Sequence, residues 1–385
     1  MFNLRDLKKK YFKNYSIKNY SFLLLGLVII LTIFGIIVIG SAKQSVQLKQ
    51  VIGLALGLIG CVVVSLIDYN FILNFYWLIY GAAIVLLGSL FIPHVGENIN
   101  GATRWINLGF MQFQPSEFAK VLLILFLAKF IQNHEEDINN YTTMIKTAIF
   151  CGIPLFLILI EPNLSTTIFT ALLLVSIIIV GGLHLKYIGI VIVAIIPIMI
   201  IFLAIVVQPN QKLLKDYQRN RIMAFIEPEK YASTGAYQQN NSVMAIGSGK
   251  LSGKGLNNNT TTSVKNGNFI LEPQTDFIFA IIGEELGFIG GIFVIALLLL
   301  IVLKCMVIGG RAPDLAGKLI CMGVAAWIAF QGFINIGVAT KLLPNTGVPL
   351  PFVSYGISSL VSLYVGIGFV LNIGLHNKNK SKYRG

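Results

Sequence analysis

The residues with most chemistry to offer lie between 269 and 291, FILEPQTDFIFAIIGEELGFIGG. Glu272, Gln274 and Asp276 sit in a polar segment that runs straight into a long apolar one, so Asp276 is placed where an aqueous loop meets a membrane. Eight residues on, Glu284 and Glu285 stand among Ile, Phe, Ala, Leu and Gly, at a depth where an ionised side chain costs several kcal/mol unless it is paired or lines a polar cavity. Anchoring alone needs no such carboxylates. At roughly 100° per residue, Glu284 falls about 80° round the helix from Asp276 and Glu285 about 180°. Glu284 at most shares the side of Asp276, and Glu285 is expected to pair with another helix. Local sequence also allows a plainer role for Asp276, as an acid capping a helix start.

Other polar points stand at helix ends. In QPSEFAKVL, Pro115 and Ser116 start a helix that carries Glu117 and Lys120 three apart on one face, able to pair within the bilayer. Glu161 and Asn163 fall in the tight turn EPNLSTT. Arg104 and Trp105 lie in a Gly- and Asn-rich stretch, 93–114, that is too apolar for a free linker and is expected to fold against the outer membrane face. Trp105 there reads equally as an interfacial anchor or a substrate contact. Within 237–256, Gly247, Gly249, Gly253 and Gly255 alternate with Lys250 and Lys254. Such a run suits an anion such as phosphate but matches no nucleotide-binding loop, so a flexible turn competes with it.

The elements that must position these groups are membrane helices. Of 385 residues, 56% are hydrophobic and 12% charged, which describes an all-α polytopic integral membrane protein. Apolar segments of spanning length read as 19–42, 47–67, 71–92, 115–133, 143–160, 163–182, 186–207, 275–303, 314–341 and 351–375, ten in all. A net charge of +13 would suggest nucleic acid in a soluble chain. Here the lysines and arginines collect in 1–18 and 376–385, which topology explains with both termini cytoplasmic and no nucleic-acid partner. Residues 1–18 precede a run longer than a signal-peptide core, read as a retained first span. The long stretch 208–274 then falls outside as a large extracellular loop, with a short helix in 212–230 carrying Arg219 and Arg221 and a polar, mobile part at 257–268. The four cysteines lie singly in apolar segments without metal-ligand spacing.

At this point several motifs in one order carry a resemblance. NGATRWINLGFMQFQPSEFAK, EPNLSTT, the YQ and R of DYQRNRI, YQQNNSVMAIGSGKLSGKGL, TDFIFAIIGEELGFIGG and LLPNTGVPLPFVSYGISSL together resemble the SEDS proteins, the RodA, FtsW and SpoVE group, over nearly the whole chain. The resemblance implies a ten-span peptidoglycan glycosyltransferase of the plasma membrane that polymerises lipid II into β-1,4 glycan strands on the outer face. It also implies a class B penicillin-binding transpeptidase as partner. In its terms Asp276 is the catalytic aspartate, and Arg104, Trp105, Glu117, Lys120, Arg221, Lys254 and Glu284 are substrate-binding positions, with Glu285 on a further motif position. Departures from the pattern are Asn163 where the family has Asp, Lys250 for Gly, Asn241 for Gln and Ile357 for Gly. If the missing aspartate normally pairs with Lys120, Glu161 substitutes or activity is weakened.

The residue types suit glycosyl transfer from a lipid diphosphate. The acceptor 4-hydroxyl needs a positioned base, which contributes roughly 10²–10⁴-fold. Attack on an α-linked anomeric carbon inverts configuration, so no second carboxylic acid is required. Arg104, Lys120, Arg221 or a divalent cation (Mg or Mn) would stabilise the departing charge. A lipid-linked precursor flippase and a catalytically weakened scaffold of the cell-wall machinery are the competing readings. The LPNTG at 343–347 imitates a sorting signal, but cleavage there would discard the last helix.

Overall fold

The computed structural model describes residues 19–93, 95–99, 102–109, 112–161, 163–208, 211, 216–231, 236–257, 263, 267 and 269–376. The basic ends at 1–18 and 377–385 lie outside the described residues, as does much of the expected mobile part at 257–268. In chain order the helices are α1 (Phe22–Ala42), α2 (Gln44–Leu66), α3 (Tyr69–Leu73), α4 (Tyr76–Gly88), α5 (Pro115–Asn133), α6 (Tyr141–Ile160) and α7 (Leu164–Val180). There follow α8 (Leu185–Val207), α9 (Asp216–Ile226), α10 (Tyr237–Ser248), α11 (Ile278–Gly310), α12 (Leu315–Ala339) and α13 (Ile357–Leu375).

Among the described residues, α1, α2, α6, α11, α12 and α13 are each long and apolar enough to cross a membrane. The outward faces of α1, α2, α6 and α11 carry Ile, Leu, Val and Phe, a surface that hydrocarbon solvates and water would not. By contrast α13 and α5 are buried on almost every side. They are interior helices of the bundle, which is why α5 tolerates Glu117 and Lys120. α13 packs along α2, α12 along α11 and α4 along α5. Small residues let the first pair approach: a Cβ at Gly57 would sit 2.8 Å from the Tyr364 ring, and one at Gly368 2.8 Å from the Cys61 carbonyl.

Three expectations change. Residues 71–92 are not one continuous helix: Asp68 caps the short α3, and the chain restarts at α4 and ends in a 3₁₀ turn at Ser89–Phe91. The expected loop at 93–114 holds a three-stranded antiparallel sheet, β1 (Gly96–Ile99), β2 (Ala102–Asn107) and β3 (Gln112–Phe113), with Gly96 opposite Ile106 and Ile106 opposite Phe113. Its β-branched and aromatic residues satisfy their backbone groups by pairing. The Ser358 hydroxyl accepts from Gln114 N (3.2 Å) and donates to the Gln112 carbonyl (2.8 Å), docking this sheet on α13.

The third change concerns α11, which breaks at Gly287 (φ 65°, ψ −160°). Residues 278–285 before the break are buried all round, whereas Phe288, Ile289, Ile292 and Phe293 after it face outward. The lipid-facing span therefore begins at Phe288, and Glu284 and Glu285 belong to an internal segment. A helix break strands carbonyls on one side and N–H groups on the other. The Gly-rich segment supplies both: Lys254 N and Gly255 N donate to the Glu284 and Glu285 carbonyls (3.0 and 2.9 Å), and Phe288 N and Ile289 N donate to the Lys250 and Leu251 carbonyls (2.9 and 3.2 Å). This segment is neither an anion loop nor a loose turn. It is a backbone clasp, and its glycines are needed for contact, since a Cβ on Gly253 would lie 2.2 Å from the Glu285 carbonyl oxygen.

Gly253→Ala is accordingly expected to destabilise the detergent-solubilised protein by about 1–3 kcal/mol through overpacking, read as a lowered Tm. Gly247→Ala, on an open face of α10 with nothing within 4 Å, is the control and should be neutral or slightly stabilising. Equal Tm values for the two variants would refute the clasp.

Candidate active site

A cavity of about 460 Å³ is lined by Arg104, Trp105, Glu117, Lys120, Arg221 and Asp276. Six positions singled out from β2, α5, α9 and the approach to α11 thus meet around one space. The floor and far wall come from Thr346–Pro349 and Tyr355–Ser359, together with Asn163, Thr166 and Phe169.

Asp276 is held by its backbone, which leaves its carboxylate to the cavity. Its carbonyl accepts from Asn335 Nδ2 at 2.8 Å, the Thr275 carbonyl from Ser354 Oγ at 2.6 Å, and the Gln274 carbonyl from Tyr355 N at 2.9 Å. The expected cap role is absent, because α11 begins two residues later and Phe277 stands at its start with no side-chain cap. A Cβ on Gly347 (φ 71°) would sit 3.2 Å from Asp276 Oδ2 and 3.6 Å from Arg221 Nη1, so carboxylate and guanidinium face each other across that glycine. Burial raises the Asp276 pKa above the ordinary 3.8. Arg221 and Arg104 pull it down and Glu272 pushes it up, leaving it raised. A raised pKa makes this carboxylate a better base than one on the surface.

Lys120 and Glu117 form a buried pair, Nζ to Oε1 2.6 Å, with the ammonium 4.9 Å from the Phe169 ring centroid and 4.8 Å from that of Trp327. The second Glu117 oxygen, Oε2, is buried without a hydrogen-bond partner. Asn163 does not reach the lysine; its Oδ1 caps α7 by accepting from Thr166 N (3.4 Å). Nor does Glu161 substitute for a missing aspartate, since both its carboxylate oxygens are buried and unpartnered, while its backbone carbonyl accepts from Arg104 Nε at 3.4 Å. Glu117 neutralises Lys120, and the departure at Asn163 leaves no bare charge.

Lys254 and Glu284 are placed elsewhere. They bond to each other, Nζ to Oε1 2.9 Å, within the clasp and away from the residues lining the cavity. Glu285 accepts from Ser41 Oγ at the end of α1 (2.7 and 2.6 Å), the helix pairing expected of it. Among the described residues no three His, Cys, Asp or Glu side chains converge on a metal site.

Reading the sequence alone missed Asn335, Ser354, Tyr355 and Thr346. Asn335 and Ser354 touch Asp276 or its neighbour through backbone carbonyls, which leave no trace in local sequence.

Burial without a partner also pushes the Glu161 carboxyl up, to about 8 from an ordinary 4.5, against the lowering pull of Arg104. A folded pKa above the unfolded one means that the folded state holds the proton more tightly. Stability is therefore fullest below about 4.5 and is lost as pH rises through about 8. Glu161→Gln should be more stable than the parent at pH 8–9 by about 1–3 kcal/mol, with the advantage vanishing near pH 5. Parallel Tm curves across that range would contradict it.

Comparison with known proteins bears on the family and the fold. The family model for FtsW, RodA and SpoVE, described as cell cycle protein, matches residues 14–379. The probable peptidoglycan glycosyltransferase FtsW of Haemophilus influenzae is 36% identical over 301 residues, 77% of this chain and 72% of that protein. The peptidoglycan glycosyltransferase MrdB of Escherichia coli K12 is 34% identical over 365 residues, 93% of this chain and 94% of that one. Among solved structures, a chain of a peptidoglycan synthase complex coordinating polymerization and crosslinking has a TM-score of 0.76 at 26% identity, covering 95% of this chain and 99% of its own. The rod shape determining protein RodA of Thermus thermophilus has a TM-score of 0.68 at 25% identity, covering 94% and 98%. With motifs, fold and a match over almost every residue in agreement, the chain belongs to the FtsW, RodA and SpoVE family, the SEDS proteins.

Proposed function

We propose that this chain is a peptidoglycan glycosyltransferase that joins lipid II units into β-1,4 glycan strands, with Asp276 as the base. The observation that carries the reading is the meeting of the Asp276 carboxylate and Arg221 guanidinium at Gly347, on the wall of a cavity that Arg104 and the Glu117–Lys120 pair also line.

The acceptor 4-hydroxyl gives its proton to Asp276 as its oxygen bonds to the anomeric carbon, and the bond from that carbon to the lipid diphosphate breaks on the opposite face. Because Lys120 is already neutralised by Glu117, the developing diphosphate charge falls to Arg104 and Arg221. The Glu117–Lys120 pair carries no net charge, which makes it a poor anion clamp. Trp105 offers an apolar face to the sugar rings.

In the membrane, α1, α2, α4 to α8, the part of α11 beyond Gly287, α12 and α13 serve as ten spans. Both termini are then cytoplasmic and the sheet and 208–274 lie outside. His184, Lys186, Lys304, Arg311 and Lys318 fall inside, as the positive-inside rule asks, with Lys43 and Lys49 against it. The similarity to a chain of a synthase complex supports a transpeptidase partner of the class B penicillin-binding type.

Purified protein given lipid II in detergent should make glycan strands, and Asp276→Asn should lower that rate at least about 10²-fold with an unchanged Tm. The parent rate should rise with pH through the elevated Asp276 pKa. Arg221→Ala should lose about 10²-fold or more through the leaving group. A flippase would make no strands where there is no membrane to cross, and an active, folded Asp276→Asn would remove Asp276 as base.

A further inference from the structure

One face of α12 connects the two ends of the cavity. Trp327, Gln331 and Asn335 are four residues apart, so they stack on one side of the helix, and each is almost fully buried. At one end the Trp327 ring lies against the Lys120 ammonium, 4.8 Å from centroid to Nζ. Its Nε1–H donates to Gln331 Oε1 at 2.7 Å, and Gln331 Nε2 donates to the Pro349 carbonyl at 2.9 Å. At the other end Asn335 Nδ2 donates at 2.8 Å both to the Val348 carbonyl and to the Asp276 carbonyl. Val348 and Pro349 line the cavity next to Gly347, where Asp276 meets Arg221.

We propose that Trp327, Gln331 and Asn335 form a positioning spine on α12 that sets the place of Asp276 relative to the Glu117–Lys120 pair and holds the 346–349 strap between them. None of the three side chains is among the residues lining the cavity, so they act through the groups they hold. The geometry favours positioning over packing because the bonds go where an apolar core needs none. A leucine would fill the site of Asn335 but would leave two buried carbonyls, one of them that of Asp276, without a donor. A helix is also a stiff ruler, with a rise of about 1.5 Å per residue. Two groups fixed to one helix face keep their separation while loops around them move.

The proposal rests on Asp276 being the base, and the test separates the two. Asn335→Asp keeps the side-chain shape and replaces the donating NH2 by an acceptor facing two carbonyls. The kcat of the folded variant for lipid II polymerisation is expected to fall about 10–100-fold, with KM within about threefold. Hydrogen–deuterium exchange should rise both at 274–277 and at 345–350. Gln331→Met, which loses only the strap bond and the Trp327 acceptor, should raise exchange at 345–350 and leave 274–277 protected. A folded Asn335→Asp with parental kcat, or with unchanged exchange at both stretches, overturns the spine. So does a loss of activity that merely tracks loss of folded protein. If the parent itself makes no glycan, the reading of the reaction falls, and the exchange pattern still decides the spine.

Discussion

Charge that hydrocarbon cannot hydrate must be answered from within the protein, and that requirement shapes this molecule. Removing one ion from water costs several kcal/mol even after relaxation. Most of the buried ionisable groups find partners: Lys120 in Glu117 and two aromatic rings, Glu284 in Lys254 of the Gly-rich segment, Glu285 in a hydrogen bond from the Ser41 hydroxyl of α1, and Asp276 in Arg221 of α9 and Arg104 of β2, whereas Glu161 is left with its pKa raised. Only the first pair is local. Assembling the helices and neutralising the charges are therefore one event, and a bundle that failed to close would leave its carboxylates bare.

The break at Gly287 follows from the same constraint applied to the backbone. A straight helix from Ile278 to Gly310 would carry Glu284 and Glu285 toward lipid. Ending the first segment and restarting at Phe288 keeps them inside, at the cost of unsatisfied carbonyl and N–H groups. The clasp formed by Lys250–Gly255 returns those hydrogen bonds, and its glycines bring backbone to backbone at distances no Cβ would permit. In turn the buried first segment anchors Asp276 at its near end, where Asn335, Ser354 and Tyr355 hold the carbonyls around it. The Asp276 backbone is thus fixed by distant side chains and main chain, which leaves its carboxylate to the cavity.

The distribution of cations sets the electrostatics of the cavity. Lys120 and Glu117, spaced to pair on one helix face, do pair at 2.6 Å, so the net charge they bring to the cavity is close to nothing. Arg104 and Arg221 approach from the sheet and from α9, elements outside the spanning bundle. In the proposed reaction the leaving group would be met by these two arginines, at the rim of the bundle. Asn163 leaves no bare charge beside the interior pair, since its oxygen caps α7 and Lys120 is paired with Glu117.

Much of this could be read without coordinates. Apolar run lengths gave away an all-helical membrane protein, because spanning hydrocarbon demands about 20 apolar residues and leaves that mark in any sequence. Asp276, Glu117 and Lys120 stood out as ionisable groups at the edges of apolar runs, and the family motifs joined Arg104, Trp105 and Arg221 to them as a set. Hydropathy is blind to who pairs with whom. It could not show that Lys254 and Glu284 satisfy each other, that 71–92 is broken, that 93–114 is a sheet, or that the span after Asp276 starts only at Phe288. Nor could it show Asn335, whose donors go to backbone carbonyls on distant segments. Those facts depend on contacts between residues far apart in the chain, and only the folded bundle, by excluding water from them, gives each its energetic weight.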